Sequence, residues 1–252
     1  MKSGSRKTVC IEGPPHRRVP STKDVLVLGL ETSGPECRVA VLSLAGRAGS
    51  VFDALGRAGV VERSGRSEFA RHSEIVYGLL DAAMRAARIR VRDLDGIAVS
   101  VGPGSFTGLR VGLAVAKVLA KFGRIPLAGV PTLEAMAVEA AVASAGASAA
   151  RSFVPTLDAR RGEVYAAVYR RGPRGVRKVL GPRVLDPGRL AAIVPAGALA
   201  PTDTPRAAVV AALGLVRIAS GGRDDPDRLV PLYLRRPEAV EKRMAVLRRT
   251  LK

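Results

Sequence analysis

Tryptophan, asparagine and glutamine are absent from this 252-residue chain, and aromatic residues amount to only 4%. So few aromatic faces leave no stacking platform for single-stranded bases. The missing amides fit a high working temperature, and codon bias would produce the same gap. His16 and His72 are the only histidines. A zinc site on one helix needs two histidines four residues apart, and Val76 stands at that place after His72. His72 is therefore expected in a core or an interface, and no metal site is expected. Cys10 and Cys37 have neither metal spacing nor the numbers for a disulfide framework, which suits a reducing compartment. No apolar run reaches the roughly 18 residues of a membrane-spanning helix, so no membrane partner is expected. Residues 1–23 are basic and Pro-rich and lack the apolar core of a secretion signal. A flexible arm in a cytoplasmic protein is the expectation.

Positive charge is plentiful. The net charge is +19. Residues 1–24 hold six Lys/Arg against two acids, and residues 235–252 hold seven against two. Charge of this sign, concentrated in the ends, favours RNA or another polyanion, and two solvated tails are the plain alternative.

The chain is organised around Asp95–Gly123. Ile97, Val99 and Val101 read as a buried strand, broken by Gly102-Pro-Gly104. Ser105 or Thr107 caps the helix that follows. Gly108, Gly112, Ala116 and Ala120 recur at every fourth position and form a narrow ridge without bulk. Two glycines inside a helix cost roughly 1 kcal/mol each against Ala. Close packing within the chain would offset that cost; so would a seat for a helix of another protein. Both readings stay open.

Val25–Leu30 and Arg38–Leu44 read as a hairpin joined by Glu31-Thr-Ser-Gly-Pro35. Val51–Phe52 and Val60–Arg63 are expected to add a third strand. Phe69, His72, Val76, Leu79, Leu80, Ala83 and Ala87 carry helical spacing. Leu127–Val130 is a strand, and Thr132 is expected to cap an Ala-rich helix reaching about Ser144. Phe153–Leu157 and Val164–Tyr169 form a second hairpin around Asp158–Gly162. Residues 171–188 read as loops around Val176–Leu180, residues 189–219 as broken helical stretches, Leu229–Leu234 as extended, and 238–251 as helical. The strand–turn–strand unit occurs twice, half a chain apart, which predicts two similar lobes: 25–126 and 127–237, flanked by an arm over 1–24 and a basic tail over 238–252.

The Gly-Pro-Gly-Ser-Phe-Thr-Gly loop could hold an anion on its N–H groups, but Leu109 follows Gly108 where a Walker loop needs Lys. Glu31 and Asp158 end the first strand of each hairpin, where a two-lobed phosphotransferase would place metal-handling carboxylates. Thr32-Ser33 replaces the glycines that let phosphate approach, and bulky Arg160-Arg161 follows Asp158. Thr32, Ser33 and Asp158 are thus a degraded nucleotide site. Asp158 and Arg160 are expected to fix their turn instead, and Tyr233 to anchor the C-terminal segment.

Leu28-Gly-Leu-Glu-Thr-Ser33, Arg71-His-Ser-Glu74, Gly102-Pro-Gly-Ser-Phe-Thr-Gly-Leu-Arg110, Gly129-Val-Pro-Thr-Leu-Glu134, Leu157-Asp-Ala-Arg-Arg-Gly-Glu-Val-Tyr165 and Pro231-Leu-Tyr-Leu-Arg-Arg-Pro237 together resemble the bacterial TsaB (YeaZ) family. The resemblance implies an α/β, two-lobed fold of the actin/Hsp70/sugar-kinase (ASKHA) type. It implies a non-catalytic subunit, with no catalytic residues and no cofactor of its own, that positions the TsaD transferase in making threonylcarbamoyladenosine beside the tRNA anticodon. ATP and a divalent metal would sit on the partner subunits; the partners are TsaD, the ATPase TsaE and, through the complex, tRNA, with self-pairing into a homodimer as a further option. The docking helices map to His72 and Val76 and to Gly108, Leu109, Gly112, Val115 and Ala116. Glu31 stands where relatives often carry Asp, and Gly181–Arg217 matches poorly, which implies a reduced second lobe. The alternatives are an active ASKHA-type phosphotransferase or peptidase-like hydrolase, and a basic tRNA-binding module.

Overall fold

The structure, a computed structural model, describes residues 24–66, 72–146 and 150–235. Nearly all of the expected arm, the tail helix and Arg71 lie outside the described residues.

β1 (Asp24–Glu31) and β2 (Glu36–Ala45) form the first hairpin, in register from Asp24↔Ala45 to Glu31↔Arg38. α1 (Val51–Arg57) follows, with the Ser50 hydroxyl accepting from Asp53 N at 3.0 Å. Val51 and Phe52, expected in a strand, therefore open a helix; the cap outweighs their β preference. β3 (Gly59–Arg66) pairs with β2, and α2 (His72–Ala87) crosses back. β4 (Gly96–Gly102), α3 (Phe106–Gly123) and β5 (Leu127–Pro131) form a parallel β–α–β unit. Ser105 caps α3 by accepting from Gly108 N at 3.2 Å. The sheet order is β3-β2-β1-β4-β5.

α4 (Thr132–Ala143) starts at Thr132, not after it; the Thr132 hydroxyl makes no cap bond and is buried without a partner. β6 (Ser152–Phe153) and β7 (Thr156–Arg160) lie along one edge of β8 (Glu163–Gly172), and β9 (Gly175–Leu185) along the other. Residues expected as loops thus make an eleven-residue strand. Gly181 and Pro182 hide it from a periodicity count, falling where the register with β8 slips. α5 (Pro187–Ile193) and α6 (Ala207–Ala219) complete the described elements.

Alternation along the first sheet sorts its side chains. Leu28, Leu30, Val39, Val41, Ile97 and Val99 pack against α2 and α3. Val27, Leu42, Leu44 and Ala98 pack against α6 on the opposite face. At Gly29 the helix comes so close that a β-carbon would lie 2.2 Å from the Ala207 carbonyl oxygen. α4 is apolar on two sides because it serves two cores: Ala135 and Val138 join the α6 side, while Leu133, Met136, Ala137 and Ala141 meet Phe153, Ala167 and Tyr169 of the second sheet. β5 and α6, read from sequence as second-lobe segments, both belong to the first sheet's layers.

Arg171 ties the layers together. Its guanidinium donates to the carbonyls of Ala150 (3.2 Å) and Ala141 and to Ser144 Oγ (3.0 Å). It also lies 5.6 Å from the ring centres of both Phe52 and Phe153.

Candidate functional site

Two places bear on function, one on each side of α3. The first is the crevice beyond the carboxyl ends of β1 and β4, where open α/β sheets hold ligands. β1 delivers Glu31, Thr32 and Ser33 there; β4 delivers Ser100 and the Gly102–Gly104 loop. Glu31 is fully buried, and its carboxylate accepts from Ser33 N at 2.6 Å and from the hydroxyls of Ser33 and Ser100. Burial pushes its pKa up, against the opposing pull of those hydrogen bonds and of Arg38. Arg38 itself is held by the Thr204 carbonyl and hydroxyl, both at 2.9 Å.

The chain fills this crevice with its own groups. Ser105 N donates to the Ser33 carbonyl at 2.6 Å, closing the Gly-rich loop onto the Thr32–Ser33 turn. A β-carbon on Gly108 would meet the Thr32 carbonyl oxygen at 2.0 Å, and one on Gly112 would meet Thr32 Oγ1 at 2.2 Å. Leu232 N donates to the Val101 carbonyl at 2.7 Å, so the C-terminal segment lies across the loop. Tyr233 stacks on Phe106 at 5.1 Å, and Arg235 donates to the Ala159 carbonyl at 2.7 Å and pairs with Glu163. Tyr233, expected to bury its ring, stays 42% exposed against Phe106; Leu232 and Arg235 make the bonds that hold this segment. Asp158 is exposed; it accepts from Arg160 N at 2.7 Å and pairs with the Arg160 guanidinium at 3.6 Å. Its carboxylate is committed to its own turn. Thr32 and Ser33 are committed to the α3 contact.

The second place is the outer surface of α2 and α3, which lie side by side on the first sheet. Here the sequence reading needs correction. Gly108, Leu109, Gly112, Val115 and Ala116 are all buried within this chain, and so is Val76. The ridge is smooth because Thr32 and the sheet press on it, so these six positions are internal packing and not a surface for another molecule. His72 opens α2. The large apolar side chains that meet solvent on these helices are Tyr77 (59% exposed), Val118 (53%), Phe122 (84%) and, at the start of α3, Phe106 (39%). Arg110 and Ala114 complete the α3 row, and Gly78, Asp81 and Arg85 flank Tyr77 on α2. The four-residue row Arg110-Ala114-Val118-Phe122 was available in the sequence, two residues on from Gly108-Gly112-Ala116-Ala120 and so on the opposite face of the helix. Its signal is large apolar residues where a solvated face would be polar.

Comparison with known proteins bears on what such a chain is. The family model described as TsaD, tRNA N6-adenosine threonylcarbamoyltransferase, matches residues 67–214. An uncharacterized protein of Mycobacterium tuberculosis is 38% identical over 179 residues, covering 67% of this chain and 77% of its own. The Escherichia coli tRNA threonylcarbamoyladenosine biosynthesis protein TsaB is 34% identical over 105 residues, which cover 42% of this chain and 44% of that protein. The solved structure of YeaZ from Pseudomonas aeruginosa superposes with a TM-score of 0.67 at 25% identity, covering 83% of this chain and all of YeaZ. The chain belongs to the TsaB (YeaZ) branch of this family. TsaB-type membership agrees with the α/β, actin/Hsp70/sugar-kinase-like fold with flanking helices that the motifs implied, though only the first sheet is mixed and the second is antiparallel. Among the described residues no helix is long and apolar enough to cross a membrane.

Proposed function

We propose that this chain is a non-catalytic scaffold and activator in the biosynthesis of threonylcarbamoyladenosine in tRNA, docking on a TsaD-type transferase through the outer face of α2 and α3. The observation that carries the reading is the solvent exposure of Tyr77, Val118 and Phe122 on adjacent helices of a rigid layer. Burying one such side chain contributes about 1.5–3 kcal/mol, and exposed aromatic anchors beside small residues such as Gly78 and Ala114 suit close helix-on-helix docking. The same face could serve self-pairing into a homodimer, in competition with the transferase. A TsaE-type ATPase and tRNA would join through the complex, in the cytoplasm. ATP and its divalent metal belong on the partner subunits in this reading, since Glu31 here is occupied by Ser33 and Ser100 and the loop over it is closed by Ser105 and Leu232.

Why a subunit without chemistry would be needed follows from positioning. Misplacing catalytic groups by about 1 Å can cost about 10²-fold. A stiff two-helix seat restrains the transferase lobes without touching substrate. The test is reconstitution of tRNA modification with the transferase and ATPase. The Val118→Glu/Phe122→Glu chain should fold normally and fail to stimulate modification, and full stimulation by that variant would remove this face from the account. A catalytic reading would require ATP turnover by the chain alone, abolished in Asp158→Ala.

A further inference from the structure

We infer that the outer face of the second sheet is a binding surface for the phosphate backbone of a base-paired RNA stem. This rests on the tRNA-modification reading above and names how the chain would touch the RNA. Residues 150–199 carry ten Lys/Arg against three Asp/Glu, whereas residues 72–146, which build α2, α3 and α4, carry eight against six. The positive charge of the described fold therefore collects in the second sheet, away from the proposed docking helices.

The three acids of that region are all spent. Asp158 pairs with Arg160, Glu163 with Arg235, and Asp186 with Arg189. Lys178 lies across from Tyr169, on the α4 side, where its charge acts on Glu134. Arg170, Arg174, Arg177 and Arg183 are left exposed, and no carboxylate pairs with them among the described residues.

Geometry gathers these four. Tyr169 and Ala167 face α4, so Arg170, between Tyr169 and Arg171, faces outward. Arg177 lies directly opposite Arg170, and Arg183 lies opposite Ala166 on the same face, where Ala166 and Val168 between them are covered and the arginines stand at either end. Arg174 sits in the turn joining the two strands. Like charges directly opposite each other destabilise a sheet. Edge protection does not account for the pair, because Arg170 is on the central strand β8, and Pro182 with its register slip already spoils the β9 edge for pairing. An anion between the two guanidinium groups relieves the repulsion. Their partners on β8 are four residues apart, so the face runs about 13 Å from Arg177 to Arg183, enough for neighbouring phosphates. With 4% aromatics, this is a surface for backbone and not for splayed bases.

The test is fluorescence anisotropy of the full chain with fluorescein-labelled, unmodified tRNA across a salt series. Arg170→Gln/Arg177→Gln/Arg183→Gln should bind about tenfold more weakly near 0.1 M salt, with the slope of log K against log salt reduced by about 2–3. A control that removes three other exposed arginines, Arg47→Gln/Arg66→Gln/Arg88→Gln, should change affinity less than twofold. Equal loss in both variants, or no loss in the first, overturns the inference, as does tighter binding of the chain to phosphatidylserine vesicles than to tRNA. Co-sedimentation of the first variant with the transferase is measured alongside. Normal docking with unchanged tRNA binding sinks this inference alone, and failed docking by the unmodified chain sinks the reading beneath it.

Discussion

Thr32 occupies the space that a β-carbon on Gly112 would need: its Oγ1 lies 2.2 Å from that position and its Cγ2 3.2 Å. The two residues are 80 apart in sequence and define how α3 seats on the end of β1. Gly112→Ala should therefore destabilise the fold by about 1–3 kcal/mol through overpacking, and Gly112→Leu by more. Thr32→Ala in the same chain should restore most of the Gly112→Ala loss, because the clashing atoms are gone. Urea midpoints of the four proteins in that cycle measure the coupling, and additive losses would contradict the contact.

Thr32→Ala alone should cost little. The Thr32 hydroxyl is buried without a hydrogen-bond partner, so removing it also removes a desolvated polar group. A loss above about 2 kcal/mol in urea denaturation would show that the hydroxyl has a role the contact does not explain.

Much of this site could be read from the residues. The strand–turn–helix over Asp95–Gly123 and the two hairpins around Glu31 and Asp158 are local, and local periodicity and turn chemistry report them. The four-residue glycine spacing marked a close contact on α3, yet periodicity names a face and not the neighbour that fills it. Thr32 filled it, and the exposed row with Val118 and Phe122 lay round the helix. β9 was hidden because Gly181 and Pro182 break its pattern, and only pairing with β8 makes it a strand. The seat of α6 on the first sheet, at Gly29, is a contact across 178 residues and leaves no local trace.

Arg171→Lys should lose at least about 2 kcal/mol. A lysine keeps one charge but cannot span Ala141, Ala150 and Ser144 or lie flat against both Phe52 and Phe153. Thermal or urea unfolding reports the loss, and near-native stability in the lysine variant would contradict the planar requirement.

Glu31 gives the stability a pH signature. Burial raises its pKa above the ordinary 4.5, so the folded state holds that proton more tightly than the unfolded state. Its contribution is fully present below about pH 4.5 and is lost as pH rises through the folded value. The melting temperature of the natural chain minus that of Glu31→Gln should fall between pH 4 and pH 7. A difference that grows over that interval would mean a carboxylate held charged, poised for a cation.

Cys37 is buried, and burial pushes its thiol up to about 12. In a Cys10→Ala chain at pH 8, an aromatic disulfide reagent should react with Cys37 only as denaturant unfolds the protein. Prompt reaction in the folded state would place β2 nearer solvent than described.

The measurement that bears most directly on the proposed role is the dissociation constant between this chain and the TsaD-type transferase, taken by sedimentation velocity for the natural chain and for Val118→Glu/Phe122→Glu. Loss of two exposed apolar anchors should weaken the complex at least about 100-fold while the melting temperature stays within about 2 °C. An unchanged dissociation constant in a folded variant would mean that the outer face of α2 and α3 is not where the transferase is held.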